Sequence, residues 1–436
     1  KLINNDDDRI KKYILKTLFN KDKKYTKSFS QAYAGHQFGH FTILGDGRAH
    51  IIGEFITQNN KRIDIQLKGS GKTQYSRNGD GKATIGSMIR EYIISESMYY
   101  LDIPTTESLC VIRTGEKILR NTYEEGAVLI RIAKSHIRVG TFEFANIYKD
   151  KDYIRDLSDY TIKRHYSELI NKFNKIELFL EKVMIKQIKL IINWMRVGFI
   201  HGVMNTDNMS ITGETIDYGP CAFMDQYNPK TVFSSIDYNG RYSYENQPRI
   251  ALWNLVRFAE TLISLIDKDE KIAVKKAEKI LNKFKHIYQK KWLNMMKLKI
   301  GLIEEHEKDE ILIKELLDIM HVYKLDYTNT FIDLKNDNLK KHKFFEKWLT
   351  KYSERRELEK KDKDFLNKIM KKNNPNIIPR NHIVDKLIKK AENNNFDDLY
   401  HYLELIKKPY NKLSDNHYLT KLPKNEEKIY QTFCGT

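Results

Sequence analysis

An α+β fold, with a small β-rich N-terminal part and a larger, mainly helical remainder, is predicted by a change of pattern along the chain. Short strand-like runs separated by Gly-rich turns lie between residues 41 and 68. From about residue 155, apolar residues recur at spacings of three and four, as on one face of a helix. A chain of 436 residues with 41% hydrophobic content can bury a large core. We therefore expect a folded protein with two or three domains or lobes.

The β-rich part begins with two runs, residues 41–44 and 49–52, on either side of the turn Gly45-Asp46-Gly47-Arg48. This arrangement predicts a hairpin. Residues 63–68 alternate with period two and predict a third strand that ends at Lys68, on the face opposite to Ile63, Ile65 and Leu67. Residues 128–132 are again strand-like.

Helices are predicted over residues 85–100, where the Pro104 region breaks the pattern, and over 252–266. Another helix runs directly into the loop that begins at His201. Its apolar face is formed by Leu180, Met184, Ile188, Ile191 and Met195. The remainder of the chain is helical with an interruption at residues 373–379.

Composition excludes several classes of protein. Three scattered cysteines, Cys110, Cys221 and Cys434, are too few for a disulfide framework and indicate a reducing compartment. No apolar run approaches the roughly 18 residues that span a bilayer, and no signal peptide is evident, so we expect no membrane partner. The expected location is cytoplasmic in a bacterium or mitochondrial in a eukaryote. The net charge of +18 is spread along the whole chain, which favours solvated helix faces over a nucleic-acid site.

The segment from His201 to Asn208 is similar to a protein-kinase catalytic loop, H-R-D-x-x-x-x-N, which is followed by D-F-G. Asn208 and Asp217, in Asp217-Tyr-Gly, have the spacing of the metal-binding residues. The position of the kinase base is Val203, which cannot accept a proton, but a carboxylate reappears at Asp207. The loop thus indicates a kinase-like bilobal fold with altered chemistry. The predicted divisions are an N-lobe at 1–125, a C-lobe core at 126–270 and a helical C-terminal extension at 271–436.

Other polar residues fit phosphate chemistry. Lys68 ends its strand as the kinase lysine does, and Glu91 on the following helix is its natural partner. Arg131 and Arg138, which flank Lys134, indicate a phosphate clamp in an apolar segment.

Four features stay open or are discarded on the residues alone. The turn with Gly45, Gly47 and Arg48 could be either a nucleotide contact or an ordinary hairpin turn, and Asp80-Gly81 is more typical of a turn. Residues 69–73 resemble the end of a P-loop, but Gln66 stands where its first glycine should be. His36 and His40 are expected to make structural hydrogen bonds and not to bind metal.

Several long motifs resemble the selenoprotein O family of pseudokinases, from about residue 30 to the C-terminus. The motifs are Tyr33-Ala-Gly-His-Gln-Phe-Gly39, Leu44-Gly-Asp-Gly-Arg-Ala49, Gln66-Leu-Lys-Gly-Ser-Gly71, Tyr75-Ser-Arg-Asn-Gly-Asp-Gly81, His201-Gly-Val-Met-Asn-Thr-Asp-Asn208, Asp217-Tyr-Gly-Pro220, Gly240-Arg-Tyr-Ser-Tyr-Glu-Asn-Gln-Pro248, Arg380-Asn-His382 and Lys408-Pro-Tyr410.

This resemblance implies a protein adenylyltransferase that binds ATP in a flipped orientation, transfers AMP to Ser, Thr or Tyr hydroxyls of proteins and releases pyrophosphate. Asp207 would be the proton acceptor, and Asn208 and Asp217 would hold Mg²⁺, with Mn²⁺ as the alternative. Glu91 would support Lys68. The implied nucleotide-binding residues are Gly45, Gly47, Arg48, Lys68, Asp80, Gly81, Arg131, Arg138 and Asp217.

The sequence departs from the family pattern at two places. Only about 30 residues precede the first motif, so part of the N-lobe cover is expected to be missing. In the family, a C-terminal Cys or selenocysteine can pair with a Cys of the activation segment, and Cys434 fits that tail. The expected partner falls near Phe233 and Ser234, where there is no thiol. Cys221, close to Asp217, could substitute as the partner, but it is expected to be a small buried residue. Redox control through Cys434 is therefore a hypothesis.

Three alternatives stay open. A pocket that reverses ATP could also accept UTP with Mn²⁺, which would make the chain a protein uridylyltransferase. Loss of the kinase base at Val203 would permit a catalytically inactive nucleotide-binding scaffold, although a scaffold does not need Asp207, Asn208 and Asp217 together. The charge alone would suggest nucleic-acid binding, which predicts a steep dependence on salt.

Overall fold

The computed structural model describes residues 8–10, 12–13, 16, 28–147, 151–414 and 417–433. Their N-terminal part contains strands β1 (Ala32–Gln37), β2 (His40–Gly45), β3 (Ala49–Ile56), β4 (Arg62–Lys68), β5 (Ala83–Thr84), β6 (Glu107–Leu119) and β7 (Tyr123–Ala133). Helix α1 (Ile85–Tyr100) lies between β5 and β6. The rest is mostly helical, so the α+β fold class is confirmed.

The N-terminal strands form two sheets. One is antiparallel with the order β3-β4-β7-β5, and β6 pairs with β7. The other is the hairpin β1-β2. Strand β4 lies between β3 and β7, and its residues on both faces are buried from Ile63 onward.

The predicted hairpin between residues 41–44 and 49–52 is wrong, although both runs are strands. Strand β2 pairs with the preceding strand β1, whereas β3 pairs with the following strand β4, where Ala49 lies opposite Lys68. The reason is the two-residue link Phe38-Gly39, whose φ angles of 51° and 93° suit a tight hairpin turn. The Gly-rich segment at 45–48 therefore connects two sheets and does not join paired strands.

Other predictions of local structure are confirmed. The third predicted strand is β4, the helix at 85–100 is α1, and residues 128–132 lie within β7. Strands β1 and β6 were not predicted. Strand β7 spans the boundary predicted at residue 125, and the division into three domains stays a prediction.

After β7 come the helices α2 (Val139–Ile147), α3 (Lys151–His165), α4 (Lys175–Val197), α5 (Gln247–Ile266), α6 (Glu270–Leu281), α7 (Lys283–Lys299), α8 (Asp309–Val322), α9 (Tyr327–Lys335), α10 (Glu346–Glu357), α11 (Lys363–Asn373), α12 (Asn381–Glu392) and α13 (Asp397–Ile406). Short strands β8 (Phe199–Ile200) and β9 (Ala222–Phe223) pair beside the predicted catalytic loop. No helix in the described ranges is long and apolar enough to cross a membrane.

Helix α4 fixes the position of the loop that begins at His201. The five apolar residues predicted for its core face, at 180, 184, 188, 191 and 195, are all buried. They join the main core of the helical part, where α4 packs against α5 and α7. Because the helix is anchored along this face, the chain that leaves it through β8 enters the loop at His201 in a fixed position.

A second core joins helix α1 of the N-terminal part to the helices α12 and α13. Ile85, Ile89 and Ile93 of α1 are buried with Val384 of α12 and Tyr402 of α13. Helix α1 carries Glu91, so the C-terminal helices support the helix that carries a predicted site residue.

Candidate active site

A cleft of about 1330 Å³ lies between the larger sheet, helix α1 and the loops around residues 203–208 and 217–220. Ten of the predicted site residues line it: Gly47, Arg48, Lys68, Asp80, Gly81, Glu91, Arg131, Asp207, Asn208 and Asp217. Two others lie outside the lining. Gly45 packs against the ring of Tyr75, and Arg138 is buried below the cleft, where it contacts Asp207 and Asp217.

Lys68 and Glu91 form an ion pair in the floor of the cleft. The Nζ of Lys68 lies 2.6 Å from Oε2 of Glu91, and Arg131 donates from Nε to the other oxygen of Glu91 at 3.0 Å. Glu91 and Arg131 are 4% and 2% exposed. Burial alone would raise the pKa of Glu91, but Arg131 and Lys68 hold this pKa below its usual value. Glu91 is therefore an anion that orients two cations.

Asp217 is surrounded by the same cations. Its Oδ1 accepts from Lys68 at 2.7 Å and from Arg131 at 2.6 Å, and its Oδ2 accepts from Arg138 at 3.3 Å. Burial opposes ionisation, but Arg131, Lys68 and Arg138 outweigh it and hold the pKa of Asp217 well below its usual value. The backbone of Asp217 has a φ of +64°, uncommon for a residue other than glycine, which turns this carboxylate toward the cleft floor.

The cations are also connected behind the cleft by residues that were not predicted. Gln66 accepts from Arg131 at 3.2 Å and donates to Asp46 at 3.0 Å. Asp46 in turn lies 3.5 Å from Arg138. Two signals could have found them: Gln66 precedes Lys68 by two residues on one strand face, and Asp46 lies between the two predicted glycines.

Tyr33 was also missed, and its ring lies under the guanidinium of Arg138 at 4.6 Å. Of the cationic segment predicted as a clamp, Arg131 and Arg138 lie at the cleft. Lys134 points elsewhere and pairs with Glu214 at 3.1 Å.

Asp207 differs from Asp217 in its surroundings. Its side chain is buried, and its Oδ1 has no hydrogen-bond partner among the residues described. Burial raises the pKa of Asp207 to about 7, although Arg138 acts in the opposite direction. A carboxyl group with a pKa near neutrality can take a proton from a hydroxyl group that comes within hydrogen-bond reach of it.

Two glycines make room for Asp207. A Cβ on Gly35 of β1 would lie 2.4 Å from Asp207 Oδ1, and one on Gly140 of α2 would lie 3.2 Å from Asp207 Cα. A side chain at Gly35 would displace the carboxyl group, and one at Gly140 would collide with the carbonyl oxygen of Ala34 and crowd the backbone of Asp207.

Asn208 and Asp217 supply hard oxygen atoms of the kind that bind Mg²⁺. The amide nitrogen of Asn208 donates to the carbonyl oxygen of Val203 at 2.9 Å, which leaves the amide oxygen as its possible ligand. Within the described ranges, no group of three or more His, Cys, Asp or Glu residues could hold a metal ion. Asn208 and Asp217 would fit a cation that is shared with phosphate oxygens and water, as Mg²⁺ usually is in nucleotide sites.

Asp80 lies on the rim of the cleft and is bound by Arg120, which was not predicted. Arg120 donates to both carboxylate oxygens, at 2.8 and 3.0 Å, and the backbone N–H of Lys82 donates at 2.9 Å. The contact with Arg120 lowers the pKa of Asp80 to about 2. Arg120 is 40 residues away in the chain, on the link between β6 and β7, so no local pattern reveals the pair.

His201, His36 and Cys221 have structural surroundings. The Nε2 of His201 lies 2.9 Å from the carbonyl oxygen of Ile216, which joins the catalytic loop to the Asp217 segment. His36 is bonded to Glu143, as expected for a hydrogen-bonding role. Cys221 is buried, and Cys434 lies outside the described residues, so the redox hypothesis stays a prediction.

Comparisons with known proteins agree on one family. The family model described as protein adenylyltransferase SelO matches residues 2–407. A protein nucleotidyltransferase YdiU of Clostridium perfringens is 52% identical over 412 residues, which are 93% of this chain and 84% of the relative. A protein of the same name from Clostridium botulinum is 51% identical over 423 residues, or 96% of this chain and 86% of that relative.

Proposed function

The chain belongs to the SelO family and is a nucleotidyltransferase, and from this premise we propose that it transfers AMP from ATP to Ser, Thr or Tyr hydroxyl groups of proteins. The proposal includes a kinase-like bilobal fold with the cleft between its lobes. The observation that carries it is the contrast between two aspartates of one cleft. Asp217 is held ionised by three cations, whereas Asp207 has an unpartnered oxygen and a pKa of about 7.

The cations determine the orientation that we propose for ATP. Lys68, Arg131 and Arg138 converge on Asp217 in the floor of the cleft. A triphosphate that enters with its outer phosphates toward this floor would bring them close to this group of cations. Its α-phosphorus would then face the opening, where an acceptor protein arrives. This is the flipped orientation, and it places the leaving pyrophosphate beside groups that stabilise its charge.

The proposed reaction exchanges one oxygen bonded to the α-phosphorus for another. The acceptor hydroxyl group gives its proton to Asp207, and its oxygen forms a bond to the α-phosphorus. The bond between that phosphorus and the bridging oxygen of the β-phosphate breaks, and pyrophosphate leaves with the electron pair. Asp207 can act in this way because its raised pKa makes it basic enough near neutral pH.

A divalent cation, Mg²⁺ or Mn²⁺, would be held by Asn208 and Asp217. It would supply charge neutralisation on the phosphates. Asp217 has the low pKa that a ligand needs, since it stays ionised throughout the neutral range.

The test is incubation of the protein with Mg²⁺ and ATP labelled separately at the α- and γ-phosphates, with label followed on the protein itself and on a generic acceptor. We expect label from the α position alone. Label from the γ position alone would mean phosphoryl transfer despite Val203, and no label from either would favour an inactive scaffold. A parallel arm with α-labelled UTP and Mn²⁺ distinguishes uridylyl transfer.

A further inference from the structure

A buried hydrogen-bonded cluster lies next to the catalytic loop and contains none of the residues discussed so far as nucleotide or metal ligands. Its centre is Glu143 of α2, which is 5% exposed. One carboxylate oxygen accepts from the hydroxyl group of Thr206 at 2.5 Å. The other lies 2.5 Å from Nδ1 of His36 on β1.

The cluster is closed by the main chain of β1. The backbone N–H of His36 donates to the hydroxyl oxygen of Thr206 at 2.8 Å. Thr206 therefore donates to Glu143 and accepts from His36, so its hydroxyl group is fixed from both sides. Asn205, the preceding residue, accepts from the N–H of Phe38 at 3.2 Å. The β1-β2 hairpin and α2 thus hold consecutive residues of one loop.

The residues held in this way are immediately adjacent to the proposed base. Thr206, Asp207 and Asn208 form a single 3₁₀ turn, so a movement of Thr206 also moves the other two. The elements that hold Thr206 also carry the glycines against Asp207, Gly35 beside His36 on β1 and Gly140 on α2. Any shift of the turn would bring Asp207 into collision with this backbone or move it away from the cleft.

We propose that Glu143 is a positioning residue for the transfer reaction: through Thr206 and His36 it fixes the turn that carries Asp207, without itself contacting the nucleotide. The inference rests on the proposed function, since it assumes that Asp207 is the base. Glu143 lies outside the lining of the cleft, and both of its carboxylate oxygens are occupied by Thr206 and His36. Its effect belongs to the chemical step, because the orientation of a base within about 1 Å decides whether it reaches the hydroxyl group.

The test compares Glu143→Ala with Glu143→Gln by measuring AMP transfer, nucleotide affinity and thermal unfolding. The side-chain oxygen of glutamine can accept a hydrogen bond from Thr206. Its amide N–H can donate to Nδ1 of His36 when the ring proton is on Nε2. We expect Glu143→Ala to lower kcat by about 10- to 100-fold, with ATP affinity changed less than about threefold, and Glu143→Gln to recover most of kcat. Asp309→Ala is the matched control, because it removes another buried carboxylate, paired with Arg355 at 2.6 Å, outside the cleft lining.

A second pair of variants keeps the test decisive if Glu143→Ala fails to fold. Thr206→Val replaces the hydroxyl group by a methyl group of similar volume, and Thr206→Ser retains it. We expect the valine variant to lose kcat as Glu143→Ala does, and the serine variant to stay near the unchanged protein.

The outcomes separate the two proposals. If the unchanged protein transfers α-label and both Glu143→Ala and Thr206→Val retain its kcat, the positioning role is overturned and the proposed function stands. If kcat and ATP affinity fall together in all four variants, the cluster is a general structural support and the positioning role is likewise overturned. If the unchanged protein transfers no label, the proposed function falls and this inference falls with it.

Discussion

Asp207 and Asp217 lie ten positions apart in the chain and face one cleft, but the structure moves their pKa values in opposite directions. The Asp217 segment lies among cations: Lys68, Arg131 and Arg138 all contact its carboxylate. The turn that contains Asp207 packs against the backbone at Gly35 and Gly140, and Oδ1 of Asp207 has no hydrogen-bond partner in the described part of the chain.

The difference teaches that partners, more than burial, determine the charge of a carboxyl group. Desolvation raises the pKa at both positions. At Asp217 the cations reverse that effect, whereas at Asp207 the single cation Arg138 does not. One aspartate is thereby suited to stay charged beside phosphates and metal, and the other to accept and release a proton near pH 7.

The largest effect is expected when the proposed base, Asp207, is removed. We expect Asp207→Ala to lower AMP transfer by about 1000-fold, since general-base catalysis contributes about 10²- to 10⁴-fold. ATP affinity should stay close to that of the unchanged protein because the cations that would hold the phosphates remain. Transfer of α-label and equilibrium binding of ATP measure the two quantities. Full transfer by this variant would show that another group is the base.

Removal of the charge at Asp217 should act on the fold as well as on the reaction. Asp217→Asn leaves Lys68, Arg131 and Arg138 close together with one carboxylate fewer. We expect the free energy of unfolding to fall by about 3 kcal/mol, as when a buried ion pair loses one partner. Denaturant unfolding without nucleotide or metal checks this. Asp267→Asn, which removes a carboxylate from the exposed pair with Lys276, is the control that should change stability little. An unchanged midpoint for Asp217→Asn would mean that the cations are solvated and not held by this carboxylate.

Lys68→Ala tests the contribution of the cations that surround Asp217. Lys68 bridges Glu91 and Asp217, lines the cleft and is the most exposed of the three cations around Asp217. We expect ATP affinity to fall by about 30-fold, since charge-assisted hydrogen bonds contribute about 1.5 to 3 kcal/mol, and transfer to fall with it. Lys134→Ala is the matched control because that lysine lies outside the cleft lining. Loss of transfer with unchanged ATP affinity would contradict the phosphate-binding role.

The smallest expected effect is a dependence of stability on pH that has opposite signs at the two aspartates. A carboxyl group whose pKa is raised by folding binds its proton more tightly in the native state, so its contribution to stability falls as pH rises from about 4 to about 7. Asp207→Asn should therefore be nearly as stable as the unchanged protein at pH 4 and more stable than it at pH 8, by a difference that grows as pH rises from about 4 to about 7. At Asp217 the lowered pKa makes the carboxylate stabilising above pH 4, and this contribution is lost in acid. Thermal unfolding without nucleotide or metal measures the effect of Asp207 between pH 4 and 8 and the effect of Asp217 below pH 4. A stability difference for Asp207→Asn that does not depend on pH would contradict the raised pKa of Asp207.

Local structure was predictable where one residue pattern was enough. Helix α1 has the predicted bounds, and β4 was predicted to within one residue, because helical and alternating periodicities are properties of short windows. The pairing of β2 was not predictable from the Gly-rich turn that follows it. Its partner was selected by the Phe38-Gly39 link on the other side of the strand.

The candidate site shows the same limit. The motifs led to Lys68, Glu91, Asp207 and Asp217 because such residues occur at characteristic spacings. Arg120 and Glu143 were not predicted, because each acts through a contact more than 35 residues away in the chain. A partner of that kind has no fixed spacing, since the fold alone brings it near.

The second core, where α1 packs against α12 and α13, has a consequence for synthesis on the ribosome. At roughly 5 to 20 residues per second, about 300 residues must be added between the emergence of α1 and that of its partners, which takes about 15 to 60 seconds. Throughout that interval the apolar face of the helix that carries Glu91 lacks its C-terminal partners. The nascent chain therefore cannot complete the Lys68–Glu91 pair in its final surroundings until α12 and α13 have emerged, and a ribosome that stalls before α12 displays an exposed apolar surface that chaperones can bind.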